Sequence, residues 1–529
     1  MRGRTVIVLV ACIALSVGAA DAFEWQTPVT DSFNILNSAK FLYDQTAVDE
    51  DERFGAWINR LNLTAIKGPF TAGVRYDTEF YFEKEQYALK YLLEKAYVQY
   101  QDGMWFARAG DFYNRMGSGL VLSLTKRDEF GQDNTVRGGV GQWSARDGYV
   151  ELRALGGFVN EGDDLYFEPA RTREEEPGFD EEDTVYGGQM VAGVPRWGFV
   201  SARYAGGTLR YDESLGATAQ EEDDPYHVFG VGAEWLQFGG HGSFAGEYAW
   251  YELTDQKKAV EDVETEGRAA YASLNLNFGP VTFIGEGQDY FRFAYPHCEP
   301  PILEFEKQTF GHLPDRTDIL GARGFLEVEV PVIDVSVFGN YYRADRHNAA
   351  PGDLAAHYEA EDLEQWVEHS YGGVEKQFAN GAYVMGSGGY REEPEGRWLH
   401  GEFDAGAPVA AEHELTIESR WKDFSGMAIY MGTEYGSYSV APTWNWASRL
   451  SVTGRYEHSD EPLSSGSGLS RETKDDPEFW SGEATITAGT HVDVTLFYGR
   501  IKGGLVCSGG VCREVPPFDG ARADLTLKF

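Results

Sequence analysis

Residues 70–82 read FTAGVRYDTEFYF, and apolar and polar side chains alternate along this stretch. Successive side chains of a β-strand point to opposite faces, so Phe70, Val74 and Phe80 share one face while Arg75 and Asp77 share the other. One face of this strand is apolar and the other is charged. The alternation therefore predicts a strand whose two faces meet different surroundings.

The same alternation recurs along the chain with different residues. It is clear over residues 150–158, 270–278, 326–330 and 492–498. Apolar residues at the three- to four-residue spacing of a helix are nearly absent, and residues 85–95 are the main stretch that fits either a helix or a strand. The sequence therefore predicts an all-β chain.

Short turns alternate with longer polar connections between the predicted strands. The short turns are expected at residues 67–69, 101–103, 146–148, 195–198, 239–240, 279–280, 331–334 and 380–381, and near residues 424, 445 and 489. The longer connections include residues 160–184, 212–226, 293–321, 344–369, 392–412 and 458–477. This spacing predicts about 24 strands, within a range of 22–26, and a tilted membrane strand needs about 9–11 residues.

Two architectures contain so many short strands. A soluble β-propeller would usually show a repeated blade motif, and the sequence contains none. Alternating connection lengths and two-faced strands favour a single transmembrane, antiparallel, up-and-down β-barrel with short periplasmic turns and long acidic outer loops. Such a wall must close so that no strand edge meets lipid. An even strand number, with both termini on the periplasmic side, meets this requirement.

The first residues predict the compartment. Two arginines precede an apolar run over residues 6–17, and residues 20–22 read ADA, a signal-peptidase pattern. We therefore expect residues 1–22 to be a secretory signal peptide and residues 23–529 to be the barrel. Residues 9–12 also match a lipoprotein box, but the apolar run continues past them. Lipidation is therefore the less favoured alternative.

The last nine residues read ARADLTLKF, with apolar side chains at odd positions and a terminal Phe529. This segment resembles the C-terminal strand signal of Gram-negative outer-membrane β-barrels. The resemblance implies that Leu525, Leu527 and Phe529 form the signal for the barrel assembly machinery. It also implies secretion through the inner membrane, integral location in the cell outer membrane and contact with its lipid. Residues 96–113 are similar to a hairpin found in many large porin-like and export barrels.

Comparison with this superfamily excludes the functions that need an additional N-terminal domain. The plug domain of TonB-dependent receptors, and the large periplasmic domains of other barrels, do not fit before a first strand near Phe33. This leaves a porin-like channel or transporter with a wide polar lumen, which wall side chains alone cannot fill. Two alternatives stay open. One is a sheath around a periplasmic partner protein, as in porin–cytochrome electron conduits, and the other is a barrel for polysaccharide or protein export.

Charged residues on the polar strand faces are the candidates for ion selectivity in the lumen. They are Arg75, Asp77, Glu79, Glu151, Arg153, Glu327, Glu329, Arg455, Glu457, Asp493 and Arg522. Acidic side chains outnumber basic ones in this set, which favours cations modestly. Glu327 and Glu329 form the sharpest local acidic site, because they lie two positions apart and share a face.

The overall charge excludes one class of partner. The chain has 85 Asp and Glu against 45 Lys and Arg, a formal net charge of -40. General electrostatics therefore oppose nucleic-acid binding. Acidic residues concentrate in residues 49–52, 161–183 and 221–224. None of these runs matches a calcium-loop pattern, so we expect loose screening by divalent cations and no specific metal site.

The cysteines and the catalytic motifs complete the sequence reading. Cys507 and Cys512 flank a glycine-rich turn, which predicts a local disulfide in an oxidising compartment. Cys298 and His297 share a predicted loop with His312, but their irregular spacing does not favour a metal site. No haem-attachment, metalloprotease, phosphate-binding or serine-nucleophile motif occurs. The sequence therefore predicts no enzyme activity and no cofactor.

Overall fold

The computed structural model describes part of the chain, and everything that follows refers to that part. The described residues are 30–44, 54–83, 87–127, 132–145, 148–160, 183–194, 197–211, 222–238, 240–253, 266–293, 297–303, 318–347, 363–393, 396–425, 434–460, 478–502, 504–508, 511–515 and 518–529. The predicted signal peptide and the lipoprotein box lie outside these residues, and so do the acidic runs except Asp183 and residues 222–224. No helix in the described residues is long and apolar enough to cross a membrane.

Thirty strands occur in the described residues. They are β1 Ser32–Asp44, β2 Phe54–Lys67, β3 Phe70–Glu83, β4 Tyr87–Gln101, β5 Trp105–Phe112, β6 Asn114–Met116, β7 Leu122–Leu124, β8 Lys126–Arg127, β9 Gln132–Asp133, β10 Thr135–Ser144, β11 Val150–Asn160, β12 Asp183–Val194, β13 Gly198–Tyr211, β14 Glu222–Phe238, β15 Gly242–Leu253, β16 Glu266–Phe278, β17 Val281–Phe291, β18 Ile319–Val330, β19 Val335–His347, β20 Leu363–Gln377, β21 Tyr383–Glu393, β22 Gly396–Ala410, β23 His413–Ser425, β24 Tyr435–Trp446, β25 Leu450–Ser459, β26 Glu478–Ala488, β27 Val492–Ile501, β28 Gly504–Ser508, β29 Val511–Val515 and β30 Phe518–Lys528.

A single closed sheet of 24 strands forms the wall. Its members are β1–β5, β10–β27 and β30, and each pairs antiparallel with its neighbours in chain order. The first and last strands close the sheet, because Leu36 of β1 pairs with Lys528 of β30 and the register continues to Asp44 and Gly520. The predicted all-β, up-and-down barrel of about 24 strands is therefore confirmed.

The two ends of the barrel differ in their connections. One end, called here the short-turn end, carries connections of a few residues, such as 68–69, 279–280 and 411–412. Both described termini lie at this end. The backbone N–H of Gly68 donates to the Asp31 carboxylate at 2.7 Å, and the N–H of Phe529 donates to the carbonyl of Ile35 at 2.8 Å. The opposite end, where most longer connections emerge, is called the long-loop end.

Two local predictions were wrong. Residues 392–412 do not form a loop, because β22 occupies most of them, and the short turn lies at 411–412 and not near Phe424. The polar residues that suggested a loop alternate with outward-facing Leu399 and Phe403, which are exposed. They therefore belong to the inner face of a wall strand. The ambiguous stretch over residues 85–95 lies in β4 from Tyr87 onward and is not helical.

Apolar side chains cover the outside of the wall. In β3, Phe70 is 52% exposed whereas Arg75 on the opposite face is 8% exposed, as the alternation predicts. Aromatic rings on the outer face form two bands. Trp197 and Trp235 lie near the short-turn end with ring centroids 5.4 Å apart, and Trp480 and Tyr498 lie near the long-loop end at 5.8 Å. Aromatic rings at both ends of an apolar band are typical of membrane barrels.

The backbone register bears on the predicted disulfide. Cys507 of β28 and Cys512 of β29 are directly opposite each other in a short hairpin. Cα atoms of directly opposed residues in antiparallel strands are separated by about 4.5–5.5 Å, which suits a disulfide. We expect a thiol-specific maleimide to label one cysteine of a denatured, unreduced chain of residues 23–529 and three after reduction. Labelling of three cysteines before reduction would contradict the disulfide.

Candidate functional site

A hairpin that follows β5 folds into the barrel. It comprises residues 113–127 and is called the lumenal hairpin. The backbone N–H of Ser118, at its tip, donates to the carboxylate of Glu247 in β15 at 2.7 Å. Glu247 lies on the face of β15 opposite to Tyr248 and Trp250, which are exposed on the outside of the wall. The face that carries Glu247 is therefore the lumen face, and the hairpin lies inside the barrel.

A second segment joins the hairpin inside the barrel. Residues 297–303 form the lumenal strap. The N–H of Ser123 donates to the carbonyl of His297 at 2.8 Å, and the N–H of Glu299 donates to the carbonyl of Gly119 at 2.9 Å. The strap is tied to the wall as well, because the hydroxyl of Tyr290 in β17 donates to the carbonyl of Pro301 at 2.7 Å. The hairpin and the strap thus form one layer against the wall.

Apolar packing holds this layer in place. Met116, Leu120, Val121, Leu122 and Leu124 of the hairpin are fully buried. They pack against lumen-facing apolar residues of the wall, which include Val136, Val159, Val185, Ala205, Tyr226, Val228, Ala249 and Tyr251. Complete burial of one such side chain contributes about 1.5–3 kcal/mol. The hairpin is therefore held against the wall by a buried apolar core.

A buried ion pair lies under the tip of the hairpin. Arg203 Nη1 of β13 and Glu247 Oε1 of β15 are 2.9 Å apart, and their side chains are only 5% and 6% exposed. Gly117 crosses directly above them with a φ of 59°, and a Cβ at this position would lie 2.6 Å from Glu247 Oε2. Only a residue without a side chain approaches the pair this closely.

The sector of the wall opposite the hairpin remains accessible. The lumen-facing side chains of Glu483 in β26 and Arg522 in β30 are 41% and 32% exposed. By contrast, the side chains of Val185 and Ala205, which the hairpin covers, are buried. The hairpin and the strap therefore narrow the lumen from one side, whereas these lumen-facing side chains of β26 and β30 stay accessible.

A row of carboxylates follows the lumen face across neighbouring strands toward the short-turn end. Glu329 of β18 pairs with Ser336 of β19, which pairs with Glu375 of β20. The same register line continues through Met385 of β21 to Asp404 of β22 and Glu418 of β23. Directly paired residues of antiparallel strands share a face. Glu329, Glu375, Asp404 and Glu418 therefore form one line around the lumen, called here the acidic row.

Arg420 lies beside the acidic row. Its Nη1 atom donates to Asp404 Oδ1 at 2.6 Å, and its Nε atom is 3.2 Å from Glu402 Oε1. Glu327 lies two residues before Glu329 on the same face of β18, farther from the short-turn end. Its carboxylate accepts a hydrogen bond from the Ser336 hydroxyl at 2.6 Å. The carboxylates of this region outnumber Arg420, so this part of the lumen carries a net negative charge.

Most other predicted lumen residues form ion pairs along a single strand. The strand pairing places each of these residues on the lumen face of the wall. Arg75 Nε donates to Asp77 at 2.9 Å. Arg153 pairs with Glu151 at 3.2 Å, Arg455 pairs with Glu457 at 3.1 Å, and Arg522 pairs with Asp524 at 3.0 Å. Asp493 pairs with Lys528, and Glu79 lies opposite Ile58 on the lumen face. The acids of these ion pairs are neutralised by a neighbouring base, unlike most of the acidic row.

Sequence reasoning found part of this site. It predicted Glu327 and Glu329 as the sharpest acidic site, but it missed Glu375, Glu402 and Asp404. Glu402 and Asp404 fall in residues 392–412, where the density of polar residues predicts a loop. His297, which the sequence placed near Cys298 in a loop, contacts Asp183, with 2.9 Å between Nε2 and Oδ2. No group of three or more metal-ligating side chains occurs in the described residues.

Comparisons with known proteins agree with this architecture. Residues 1–172 and 470–529 match the model of DUF6029, a family of unknown function. No curated protein matches the sequence. The PapC-PapD-PapK-PapG P pilus tip assembly intermediate of E. coli is similar over 95% of this chain and 62% of that chain, with 10% identity and a TM-score of 0.50. The chain has the fold of large outer-membrane β-barrels.

Two further solved structures are similar at lower scores. The siderophore receptor PirA from Pseudomonas aeruginosa is similar over 95% of this chain and 81% of that chain, with 8% identity and a TM-score of 0.48. The copper transporter OprC is similar over 96% of this chain and 82% of that chain, with 10% identity and a TM-score of 0.45.

Proposed function

We propose that this chain is a porin-like channel of the outer membrane that passes small solutes and favours cations. The observation that carries the proposal is the acidic row, whose carboxylates lie on the lumen face of four of the six strands from β18 to β23 without an equal number of bases. Two unit charges 4 Å apart interact by about 1 kcal/mol in bulk water and more strongly at lower effective dielectric. A line of carboxylates around a narrowed lumen therefore raises the local concentration of cations.

The outer surface supports the membrane location. Apolar side chains face outward on strand after strand, with aromatic rings toward both ends, and lipid is the environment that makes this exposure favourable. Leu525, Leu527 and Phe529 lie at the end of β30, where Leu527 packs against Val492 and Val494 of β27. This placement is compatible with their proposed role as the signal for the barrel assembly machinery.

The lumenal hairpin argues against the two alternative functions. A sheath for a partner protein, or a barrel that exports a polymer, needs a wide continuous lumen. Here the hairpin and the strap occupy one side of the lumen through buried apolar packing. Admitting a folded partner would require this core to be broken. The channel is therefore the preferred function, and divalent cations at the acidic outer loops remain a proposal without a defined site.

Reconstitution tests the proposal directly. We expect the purified, refolded chain to produce stepwise increases of ionic current when it inserts into a planar lipid bilayer. The barrel conducts because the sector opposite the hairpin is open to water. Correct folding can be checked by the gel mobility of unheated and heated samples. A folded barrel that inserts without any current, or one that purifies with a protein partner inside it, would contradict a channel.

A further inference from the structure

Two histidines meet on the lumen wall, away from the acidic row and from the lumenal hairpin. His369 of β20 and His400 of β22 are separated by one intervening strand. Their Nε2 atoms are 2.7 Å apart, and their ring centroids are 4.9 Å apart. His369 is 8% exposed, whereas His400 is half-buried. The pair therefore has one imidazole packed into the wall and one toward the lumen.

The intervening strand is built to allow this contact. Gly389 of β21 is the register partner of His400, and a Cβ on Gly389 would lie 2.7 Å from His400 Nε2. Any side chain at position 389 would therefore displace the imidazole that reaches across it. Tyr371 packs against the pair, with its ring centroid 5.1 Å from that of His369. The two rings are thus held together by their surroundings.

The charged neighbours of the pair are engaged elsewhere. Arg391 is the register partner of His369, and its Nε atom donates to Glu393 at 2.8 Å. Lys422 is the register partner of His400, and its ammonium donates to the Tyr435 hydroxyl at 3.0 Å. That ammonium also lies over the Trp398 ring, 4.5 Å from its centroid and on the long-loop side of His400. Both bases near the pair therefore have partners other than the two imidazoles.

We propose that His369 and His400 bind a divalent transition-metal ion of borderline softness, such as Zn²⁺, Ni²⁺ or Cu²⁺. Neutral imidazole is the ligand that such ions prefer, whereas Mg²⁺ and Ca²⁺ prefer oxygen. A tetrahedral ion with metal–nitrogen distances of about 2.0–2.1 Å separates its two nitrogens by about 3.3 Å. The two rings therefore need to move apart by only about half an ångström to admit the ion.

Binding replaces the imidazole contact by two coordinate bonds. In the contact, one Nε2 carries a proton and donates it to the lone pair of the other. On binding, that imidazole shifts to the tautomer protonated at Nδ1, both Nε2 lone pairs bind the ion, and water ligands of the ion leave to give the four-coordinate site. The net proton count does not change. Water from the lumen fills the remaining positions, so the site resembles an open one and not a closed structural site with four protein ligands.

Calorimetric titration of the purified barrel tests the site, and it does not depend on the chain being a channel. The protein must carry no polyhistidine tag. We expect Zn²⁺ to bind with about one high-affinity ion per chain and His400→Asn to weaken this binding about tenfold or more, as loss of one of two ligands predicts. His369→Asn should have the same effect, which provides a second variant if the first fails to fold. Mg²⁺ should not compete.

A matched control distinguishes this site from other histidines. His413 is stacked on Trp444 on the outer face of the wall, with centroids 5.6 Å apart, so His413→Asn should leave Zn²⁺ binding unchanged. Equal Zn²⁺ binding by wild type, His369→Asn and His400→Asn would overturn the proposal. In bilayers, where the result also rests on the proposed function, Zn²⁺ should reduce the current of the wild type more than that of His400→Asn.

Discussion

The triple variant Glu329→Gln, Glu375→Gln, Glu418→Gln is expected to lower the ratio of K⁺ to Cl⁻ permeability by about threefold or more at 0.1 M salt. These three carboxylates belong to the acidic row, and replacing them leaves Arg420 with Asp404 and Glu402 as its neighbours. The amides keep the size and hydration of the side chains, so the loss reports charge. The ratio is obtained from the reversal potential of reconstituted channels in a salt gradient.

Salt and a matched variant provide the controls for this prediction. The Debye length falls from about 10 Å at 0.1 M to about 3 Å at 1 M, so the difference between wild type and triple variant should shrink at high salt. Glu151→Gln removes a lumen carboxylate that is paired with Arg153. It should lower the ratio less than any one of the three substitutions in the acidic row. An unchanged permeability ratio in the triple variant would show that the acidic row does not set selectivity.

The second large effect concerns the ion pair under the lumenal hairpin. Arg203→Met is expected to destabilise the folded barrel by about 3–5 kcal/mol, because it leaves the buried Glu247 without its counter-charge. It should also raise single-channel conductance. The Glu247 carboxylate that accepts the Ser118 N–H then becomes hydrated or protonated, and the tip of the hairpin is released. Denaturant unfolding monitored by gel mobility measures the stability, and bilayer recording measures the conductance.

A double variant separates the two consequences of this substitution. Arg203→Met with Glu247→Leu replaces a buried ion pair by apolar side chains, which is often neutral or stabilising. Stability should therefore recover while conductance stays high, because the Ser118 N–H still lacks its acceptor. Arg455→Met serves as a control, since its pair with Glu457 is partly exposed and such pairs contribute about 0–1 kcal/mol. Wild-type conductance in both Arg203 variants would contradict the role of the pair in holding the hairpin.

Alternation predicted the wall well because it is a local property of each strand. The pattern over residues 70–82 needs only the two-residue period and the difference between lipid and water. The same rule failed over residues 392–412. There, His400, Glu402 and Asp404 are the polar half of a strand, but their density resembles that of a solvated loop. The outward partners Leu399 and Phe403 were the signal that identifies the strand.

The lumenal hairpin was not predicted, because it depends on contacts between distant parts of the chain. The sequence signal of the hairpin is that apolar and polar residues stop alternating in the wall strands it covers. In β12, lumen-facing Val185 is apolar, and in β13 and β14 Ala205 and Val228 are apolar as well. Strands with two apolar faces in a barrel indicate that something other than water covers the lumen side. This signal could have located the wall sector behind the hairpin, although not the segment that covers it.

The acidic row also depends on contacts between distant parts of the chain, because the register of the strand pairing aligns its carboxylates. Glu329 and Glu418 are far apart in the sequence, and only the strand pairing through β19 to β22 brings them into one line. The two-residue period assigns each carboxylate to a face but does not give its height along the barrel axis. For this reason the sequence predicted a charged lumen, whereas the concentration of negative charge near the short-turn end required the structure.

The reversal potential of the wild-type protein tests the central claim most directly. In a planar bilayer with a tenfold KCl gradient, a channel that favours cations gives zero current at a voltage displaced toward the equilibrium potential of K⁺. The acidic row predicts this displacement, and it predicts that the displacement becomes smaller as the salt concentration is raised at constant gradient. A reversal potential at zero, or one displaced toward the equilibrium potential of Cl⁻, would contradict a cation-favouring channel.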